Sequence, residues 1–166
     1  MEADNIIEDL YHSHARNIQR MCYLYLGDVA ASEDAMQETF LKAYEKYSFF
    51  RGKSDVKTWL TRIAINTCKD MQRREMSKNA YMKKEIAMAD RQPVTDNVEH
   101  SIDRLLVSEA IQKLPCNLRE VVILFYYQEM SARAIGNILH IPGTTVEFRL
   151  KKARGELKKV IREDCL

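Results

Sequence analysis

The chain has 166 residues, of which 46% are hydrophobic, and a formal net charge of +2. Only five glycines and three prolines occur, and neither alternating apolar and polar runs nor hairpin patterns stand out. This composition favours an all-α protein of one or two small domains. No basic leader precedes an apolar stretch and no apolar run is long enough to cross a bilayer, so the chain is predicted to be cytosolic and not inserted in a membrane.

The cysteines and histidines do not form a recognisable metal-binding pattern. Cys22, Cys68, Cys116 and Cys165 are too widely spaced for a zinc knuckle or a redox pair, and the cytosol would keep them reduced. The four histidines form no ligand set, and neither a phosphate-binding glycine loop nor a nucleophile-base motif appears. We therefore expect no metal, no cofactor and no catalytic residues. We interpret the cysteines as small apolar fillers, apart from Cys165, which lies next to the C-terminus and is expected to be exposed.

Two amphipathic helices are predicted in the first 50 residues. The first ends at Leu26 with Gly27 as its C-terminal cap, and the second begins near Ser32, whose hydroxyl is expected to cap it. The inward stripe of the second helix is predicted to contain Ala35, Met36, Thr39, Phe40, Ala43, Tyr44 and Tyr47. Residues 1–50 carry four basic and nine acidic residues, net −5. An acidic helix face repels DNA, so any contact on it should be with protein.

The segment Phe49–Arg74 joins an aromatic turn to a third helix with two contrasting faces. If the helix begins at Trp59, its core face contains Leu60, Ile63, Ala64, Thr67, Cys68 and Met71. The opposite face carries four polar residues at steps of four, three and four, which we call the cationic ridge: Arg62, Asn66, Lys69 and Arg73. The ridge suits a polyanion, but a charge stripe alone is more often a solvated surface. Trp59 itself is interpreted as a core residue.

Residues 76–101 have mixed charge, a proline and weak periodicity, which predicts a linker between two small helical domains. We expect a frayed helical continuation around Tyr81–Ala89 and a flexible second half. The second domain opens with an apolar helix that stops at Pro115. Asn117 and Glu120 have the spacing of a capping box, which would start a buried helix over Leu118–Gln128.

The end of the chain is predicted to contain a helix-turn-helix unit. Ser131 should cap a helix that ends near Leu139, His140–Gly143 should form the turn, and Thr144 should cap a last helix rich in basic residues. The candidates for base contacts are Thr144, Thr145, Glu147, Phe148 and Lys151. The candidates for phosphate contacts are Arg149, Lys152, Arg154 and Lys158. The alternative is a four-helix packing unit with a basic tail.

Several short motifs resemble those of one protein family. The N-terminal motifs are Ser32–Tyr44 (SEDAMQETFLKAY), Phe50-Arg51-Gly52, Thr58-Trp59-Leu60, Arg62-Ile63-Ala64 and Asn66. The C-terminal motifs are Leu114-Pro115, Arg119-Glu120-Val121, Thr145-Val146, Arg149-Leu150 and Ala153-Arg154. On these residues, and in this order, the chain resembles bacterial sigma factors of the extracytoplasmic-function (ECF) type, the two-domain minimal class.

The resemblance implies a role for each part of the chain. Residues 1–75 would bind the clamp helices of core RNA polymerase through Asp34, Gln37, Glu38 and Phe40. The same domain would capture an unstacked base of the minus-ten element with Phe50, Lys53, Ser54 and Asn66, while Arg62, Lys69 and Arg73 lie near the DNA backbone. After the linker, residues 102–166 would recognise the minus-thirty-five duplex.

The resemblance also implies partners and leaves one alternative open. Besides core polymerase and promoter DNA, an anti-sigma factor is expected, and in this family it is commonly membrane-bound. The chain departs from the family at Arg133-Ala134, His140 and Glu147-Phe148, which puts the usual minus-thirty-five sequence in doubt. The alternative function is a stand-alone helix-turn-helix regulator with an N-terminal sensing or dimerisation domain, although no heptad seam is visible.

Overall fold

A computed structural model describes the backbone of residues 2–81 and 101–164, and the side chains of residues 2–78 and 107–160. Within these stretches all regular structure is helical, which confirms the all-α prediction. The chain divides into two compact units, Met1–Gln92 and Pro93–Leu166. The expected linker, residues 76–101, contains this division, and its residues 82–100 lie outside the described part of the chain.

The first unit packs three helices against one another: α1 (Glu2–Leu26), α2 (Val29–Lys46) and α3 (Val56–Tyr81). Their core contains residues from each helix, including Ile18, Met21, Tyr25, Ala35, Phe40, Leu60 and Ala64, all buried. Gly27 ends α1 at φ 75°, where a side chain would be strained, and its amide donates to the Tyr23 carbonyl over 2.8 Å. The predicted end of the first helix is confirmed.

The start of α2 differs from the prediction. Asp28, not Ser32, precedes the helix, and its carboxylate accepts a hydrogen bond from the Ala31 amide over 2.8 Å. Ser32 lies one turn into the helix and is buried, with its hydroxyl donating to the Val29 carbonyl over 2.7 Å. Aspartate and serine can both cap a helix. Here the Asp28 carboxylate accepts from an amide of the first turn, so Val29, Ala30 and Ala31 are also helical.

Between α2 and α3 the chain makes one 3-10 turn, Tyr47–Phe49, and then reverses at Gly52, where φ is 68°. α3 begins three residues before Trp59 because Asp55 caps it: the Asp55 carboxylate accepts from the Thr58 amide over 2.7 Å and from its hydroxyl over 3.0 Å. The bonds from Thr58 lower the pKa of Asp55 below its ordinary value. α3 continues to Tyr81, into the segment predicted as linker.

The second unit contains α4 (Ser101–Lys113), α5 (Cys116–Val122), α6 (Ala132–Leu139) and α7 (Gly143–Asp164). A π-helical turn, Ile123–Tyr127, extends α5, so that the two together span most of the predicted buried helix. The residues from Glu120 to Leu124 are all buried. α7 packs against α4, α5 and α6, which makes it the central helix of this unit.

The predicted capping box of the second unit is wrong. α5 begins at Cys116, ahead of Asn117, and no side chain caps it. Glu120 is 5% exposed and forms an ion pair with Arg149 of α7, with 3.5 Å between Oε1 and Nη1. Glu120 lies inside α5, after its first turn has begun, and its carboxylate is directed to α7.

The helix-turn-helix is present with one displaced cap. Ser131 caps α6 as predicted, accepting from the Ala134 amide over 3.1 Å. His140 ends α6 in the left-handed conformation at φ 57°. Thr144 is not the cap of α7, because that helix already begins at Gly143 and the Pro142 carbonyl accepts from the amides of Thr145 and Val146.

Candidate nucleic-acid and protein interfaces

The cationic ridge lies on the solvent side of α3. Leu60, Ala64 and Cys68 are fully buried and fix the rotation of the helix. Arg62, Asn66 and Arg73 are exposed as a result, and Lys69 is half-buried. The Asp70 carboxylate on the same helix lies 3.8 Å from Arg73, between Oδ1 and Nη1, and both side chains are exposed. Such a pair contributes little in water, so the ridge remains strongly cationic.

An aromatic cluster of Tyr47, Phe50 and Trp59 lies at the N-terminal end of the ridge. The rings of Phe50 and Trp59 are 4.7 Å apart at 32°, and the rings of Tyr47 and Trp59 are 6.4 Å apart and nearly perpendicular. Trp59 was predicted to be a core residue, but its side chain is only half-buried. It precedes Arg62 by three residues and Asn66 by seven, so it lies on the same face of α3. The cluster therefore connects the expected base-pocket residue Phe50 to the ridge.

The remaining pocket candidates belong to the same loop. Lys53 is exposed and Ser54 is half-buried, both directly after the reversal at Gly52. Aromatic rings beside a row of cations provide stacking surfaces and backbone neutralisation together, which is what single-stranded nucleic acid requires. Loop, cluster and ridge thus form one continuous candidate surface.

The expected polymerase residues of α2 do not share one environment. Asp34 and Gln37 are exposed. Phe40 is 6% exposed and its ring packs edge-on against Tyr11 at 5.1 Å, so it belongs to the core and lacks the free surface that a protein contact requires. Periodicity alone could not separate Phe40 from its neighbour Leu41, because both are apolar.

Two further residues join Asp34 and Gln37 on the outer face of α2. Leu41 lies four residues after Gln37 and is 66% exposed. Tyr44 lies three residues after Leu41 and is 50% exposed, so both are on the same face of the helix as Gln37. Tyr44 was predicted to face inward, and that prediction is wrong. We call Asp34, Gln37, Leu41 and Tyr44 the outer α2 face. Exposed apolar groups flanked by polar ones are typical of a protein-binding surface.

Glu38 links α2 to α3. Its Oε1 lies 3.0 Å from Lys42 Nζ and 3.3 Å from Arg74 Nη2. Lys42 also donates to the Thr67 hydroxyl over 3.1 Å. Burial opposes the ionisation of Glu38, but the hydrogen bonds and charges of Lys42 and Arg74 outweigh it and lower its pKa below the ordinary value. Glu38 is thus an intramolecular tie as well as a candidate for polymerase contact.

On α7 the candidates for DNA contact separate into exposed and internally paired residues. Thr144, Glu147, Phe148, Lys151 and Lys152 are exposed, and Thr145 is half-buried. Arg149 is directed to Glu120. Arg154 donates to the Tyr126 hydroxyl over 2.6 Å, and its guanidinium lies 5.8 Å from the centre of the Phe125 ring. Two of the expected phosphate ligands are therefore engaged within the unit.

The two fully buried cysteines lie against each other in the core of the first unit. A hydrogen bond with Cys22, together with burial, raises the pKa of the Cys68 thiol above its ordinary value. Both are buried, as predicted for apolar fillers, whereas Cys116 is only half-buried and Cys165 lies outside the described residues. In the described stretches, no group of three or more His, Cys, Asp or Glu side chains is placed to hold a metal ion, and no helix combines the length and apolarity of a membrane span.

These features define an all-helical, two-unit protein with a helix-turn-helix and two cationic surfaces, the class to which DNA-binding transcription factors belong. Comparison with known families narrows the class. Residues 10–78 match the model of Sigma-70 region 2, and residues 104–157 match that of Sigma-70 region 4.

Named relatives extend over nearly the whole chain. The ECF RNA polymerase sigma factor SigW of Bacillus subtilis is 35% identical over 93% of this chain and 88% of its own. The RNA polymerase sigma factor YlaC of the same organism is 32% identical over 96% of this chain and 94% of its own. The chain therefore belongs to the sigma-70 family, and it is a sigma factor of the ECF type.

Solved structures share the fold. The sigma factor RpoE of Bartonella quintana, crystallised with the anti-sigma factor NepR, superposes with a TM-score of 0.77 at 18% identity, over 93% of this chain and 96% of its own. CnrH, solved with the cytosolic domain of CnrY, gives 0.73 at 20% identity, over 97% and 90%. As a sigma factor, the protein directs promoter-specific initiation by RNA polymerase, and members of its family are initiation factors, not enzymes.

Proposed function

We propose that the two units divide the work of promoter recognition, and that the protein acts in the cytosol. Residues 1–75 bind core polymerase and open the minus-ten element, residues 76–101 link the units, and residues 102–166 bind the minus-thirty-five duplex. One observation carries this proposal: a single three-helix unit exposes an acidic and apolar helix face on α2 and a cationic, aromatic-lined ridge on α3. The first surface suits a protein and the second suits DNA.

The polymerase contact is assigned to the outer α2 face. Leu41 and Tyr44 would provide the buried apolar centre of the interface, with Asp34 and Gln37 as polar contacts that set its register. Glu38 contributes at the edge while it holds α3 in place. Phe40 supports the face from beneath.

The minus-ten contact is assigned to the loop, the aromatic cluster and the ridge. Asn66 is the amide of the ridge and can hydrogen-bond the edge of a base that has left the stack. Lys53 and Ser54 would close the pocket, and Phe50 would form its wall. Arg62, Lys69 and Arg73 would neutralise phosphates along the strand.

In the second unit, Thr144, Thr145, Glu147, Phe148 and Lys151 are assigned to base edges. Glu147 can accept from a cytosine amino group, and the exposed Phe148 ring can touch a thymine methyl. Lys152 is exposed and is assigned to a phosphate. Arg149 and Arg154 would act mainly by holding α7 in place.

An anti-sigma partner, membrane-bound or not, is part of the proposal. It rests on the fact that RpoE was solved with the anti-sigma factor NepR and CnrH with the cytosolic domain of CnrY. For the present chain, such a partner would compete with core polymerase for the outer α2 face.

The test combines co-purification with run-off transcription. The purified chain should co-purify with bacterial core polymerase and give discrete start sites on a genomic fragment library. Leu41→Ala should weaken polymerase binding by roughly tenfold, as expected for an apolar centre of an interface. Asn66→Ala should leave polymerase binding intact and reduce open-complex formation.

Glu109→Ala, an exposed carboxylate of the second unit, is the control and should change neither measurement. The proposal is wrong if Leu41→Ala binds polymerase as the unsubstituted chain does, or if Asn66→Ala opens promoters normally.

A further inference from the structure

Phe49 is an exposed aromatic residue that has no role in either of the proposed interfaces of the first unit. Its side chain is 79% exposed, the largest exposure among the exposed large hydrophobic residues of the described chain. Its neighbour Phe50, by contrast, is half-buried, with its ring against Trp59. Exposing a whole aromatic ring to water is unfavourable, and the fold obtains no packing from it. Such a ring is available to a ligand.

The position of Phe49 determines which ligand it can meet. It ends the 3-10 turn that begins at Tyr47, and both Tyr47 and Phe50 contact the ring of Trp59. Trp59 begins the face of α3 that carries the cationic ridge. Phe49 therefore lies at the N-terminal end of the ridge, one residue from the aromatic cluster.

The charges around Phe49 favour a polyanion. Arg51 and Lys53 follow within four residues and are exposed, with the chain reversing between them at Gly52. Glu45, four residues before Phe49, is exposed, but the exposed Lys46 beside it balances its charge, and Asp55, six residues after Phe49, is engaged as the cap of α3. An exposed ring with two cations beside it provides the two contacts that unpaired nucleotides require, namely stacking and phosphate neutralisation.

We infer that Phe49 is a second stacking platform, which holds an unpaired base of the melted promoter strand next to the base that enters the pocket. Arg51 and Lys53 contact the phosphates on either side of that nucleotide. Stacking is tolerant of sequence because every base has a π face, so Phe49 stabilises the open strand without selecting a base. This inference rests on the proposed role of the ridge in promoter opening.

The experiment uses the full chain in complex with core polymerase. The probe is a promoter fragment identified by run-off transcription, made both fully paired and with a pre-melted bubble. A fluorescent purine analogue, whose emission falls on stacking, replaces one unpaired base at a time. Phe49→Ala should weaken binding to the pre-melted fragment roughly tenfold and restore emission at one position. Phe49→Tyr should bind within about twofold of the unsubstituted chain because it keeps the ring.

Two further variants distinguish the effect of stacking from the effects of apolar side-chain volume and of charge. Phe49→Leu should bind as poorly as Phe49→Ala, because leucine is apolar but has no π face. Arg51→Gln should reduce the salt dependence of binding, which Phe49→Ala should leave unchanged. Val107→Ala, which removes exposed apolar surface in the second unit, is the matched control and should have no effect.

The outcomes distinguish this inference from the proposed function. If Phe49→Ala binds the pre-melted fragment normally while Asn66→Ala does not, the role of Phe49 is refuted and the ridge assignment stands. If Phe49→Ala weakens binding to core polymerase without DNA, the ring contacts protein and the inference is wrong. If the unsubstituted chain and polymerase do not bind the pre-melted fragment, both are wrong.

Discussion

Arg149 lies on the helix assigned to DNA, yet its side chain is directed into the second unit. Its guanidinium pairs with Glu120, whose side chain is 6% exposed, while Arg149 itself keeps 24% of its side-chain surface in water. Burying a carboxylate is costly unless a cation and hydrogen bonds compensate. The pair therefore fixes α7 against α5, and Arg149 is better described as a positioning residue.

Arg149→Ala is expected to destabilise the second unit by roughly 2–3 kcal/mol, since the buried Glu120 carboxylate would lose its ion pair with Arg149. Trp59, the single tryptophan, reports on the first unit, so denaturation followed by its fluorescence should be unchanged. The loss of stability should instead appear when denaturation is followed by circular dichroism, which reports on the helices of both units.

Lys152→Ala is the control because its side chain is exposed: it should weaken DNA binding without changing stability. Equal stability of the Arg149→Ala variant and the unsubstituted chain would contradict the positioning role.

At the scale of single residues, the sequence predicted the ridge but not the ion pairs. The step pattern of Arg62, Asn66 and Arg73 depends only on helical geometry, and all three are exposed as predicted. The pairing of Glu120 with Arg149 joins residues 29 positions apart, and it depends on how α5 packs on α7. No local pattern contains that information. For the same reason, the burial of Phe40 and the exposure of Leu41 required the fold.

At the scale of elements, the tie between α2 and α3 makes the first unit sensitive to acid. Glu38 has a lowered pKa in the folded chain, so its ionised form is favoured by folding. Its contribution is fully present above the unfolded value of about 4.3, and it is lost as the pH falls through the lower folded value.

Glu38→Gln should therefore lower stability at neutral pH by about 1 kcal/mol or less, because the pair is partly solvated. The variant and the unsubstituted chain should converge as the pH falls below about 4. Trp59 fluorescence during urea denaturation, at a series of pH values, measures this difference. Glu33→Gln, on an exposed part of the same helix, is the control. A difference that persists unchanged at low pH would show that charge is not the cause.

The turn between α6 and α7 holds a non-glycine residue in a left-handed conformation. His140 has φ 57°, and its amide and that of Ile141 both donate to the Gly136 carbonyl. A β-carbon is disfavoured in this conformation. His140→Gly should stabilise the second unit by about 1 kcal/mol.

Asn137→Gly, at an exposed position inside α6, should instead destabilise the second unit by about 1 kcal/mol. Circular dichroism during thermal unfolding measures both. If His140→Gly lowers the stability, the contacts of the imidazole stabilise the unit by more than the left-handed backbone of His140 destabilises it.

The ends of the elements were the least predictable part of the fold. Gly27 and Ser131 were predicted correctly because each is the only suitable cap near its helix end. Asp28 and Ser32 are both good capping residues, and Asp55 competed with an apolar pattern that begins at Trp59. Asp28 and Asp55 are the caps, so that α2 and α3 each begin earlier than predicted. Tertiary packing supports these additional residues of each helix.

At the scale of the whole molecule, the net charge of +2 conceals a separation of charge that the function uses. The acidic α2 and the cationic α3 belong to one unit, and the exposed lysines of α7 belong to the other. Composition alone would not identify a DNA-binding protein here. The distribution of charge along the chain indicated DNA binding, and the structure adds internal partners for some of those charges, such as Glu120 for Arg149.

The number of phosphates that each unit neutralises should be measurable from salt dependence. Arg62→Gln with Arg73→Gln should reduce the slope of log affinity against log salt by about 1.4, because each single-stranded phosphate contributes about 0.7. Lys152→Gln with Lys158→Gln should reduce it by about 1.8, because each duplex phosphate contributes about 0.9. The two reductions should add, since the sites lie in different units.

The measurement uses the polymerase complex on a pre-melted promoter, with Lys113→Gln, an exposed lysine of α4, as the control. On a short duplex that carries only the upstream element, the first pair of substitutions should have no effect and the second should keep its full effect. A reduction by the first pair on that duplex would mean that the ridge binds double-stranded DNA. The cationic ridge would then serve in docking to the promoter, and strand opening would have to rest on Asn66 and the aromatic residues alone.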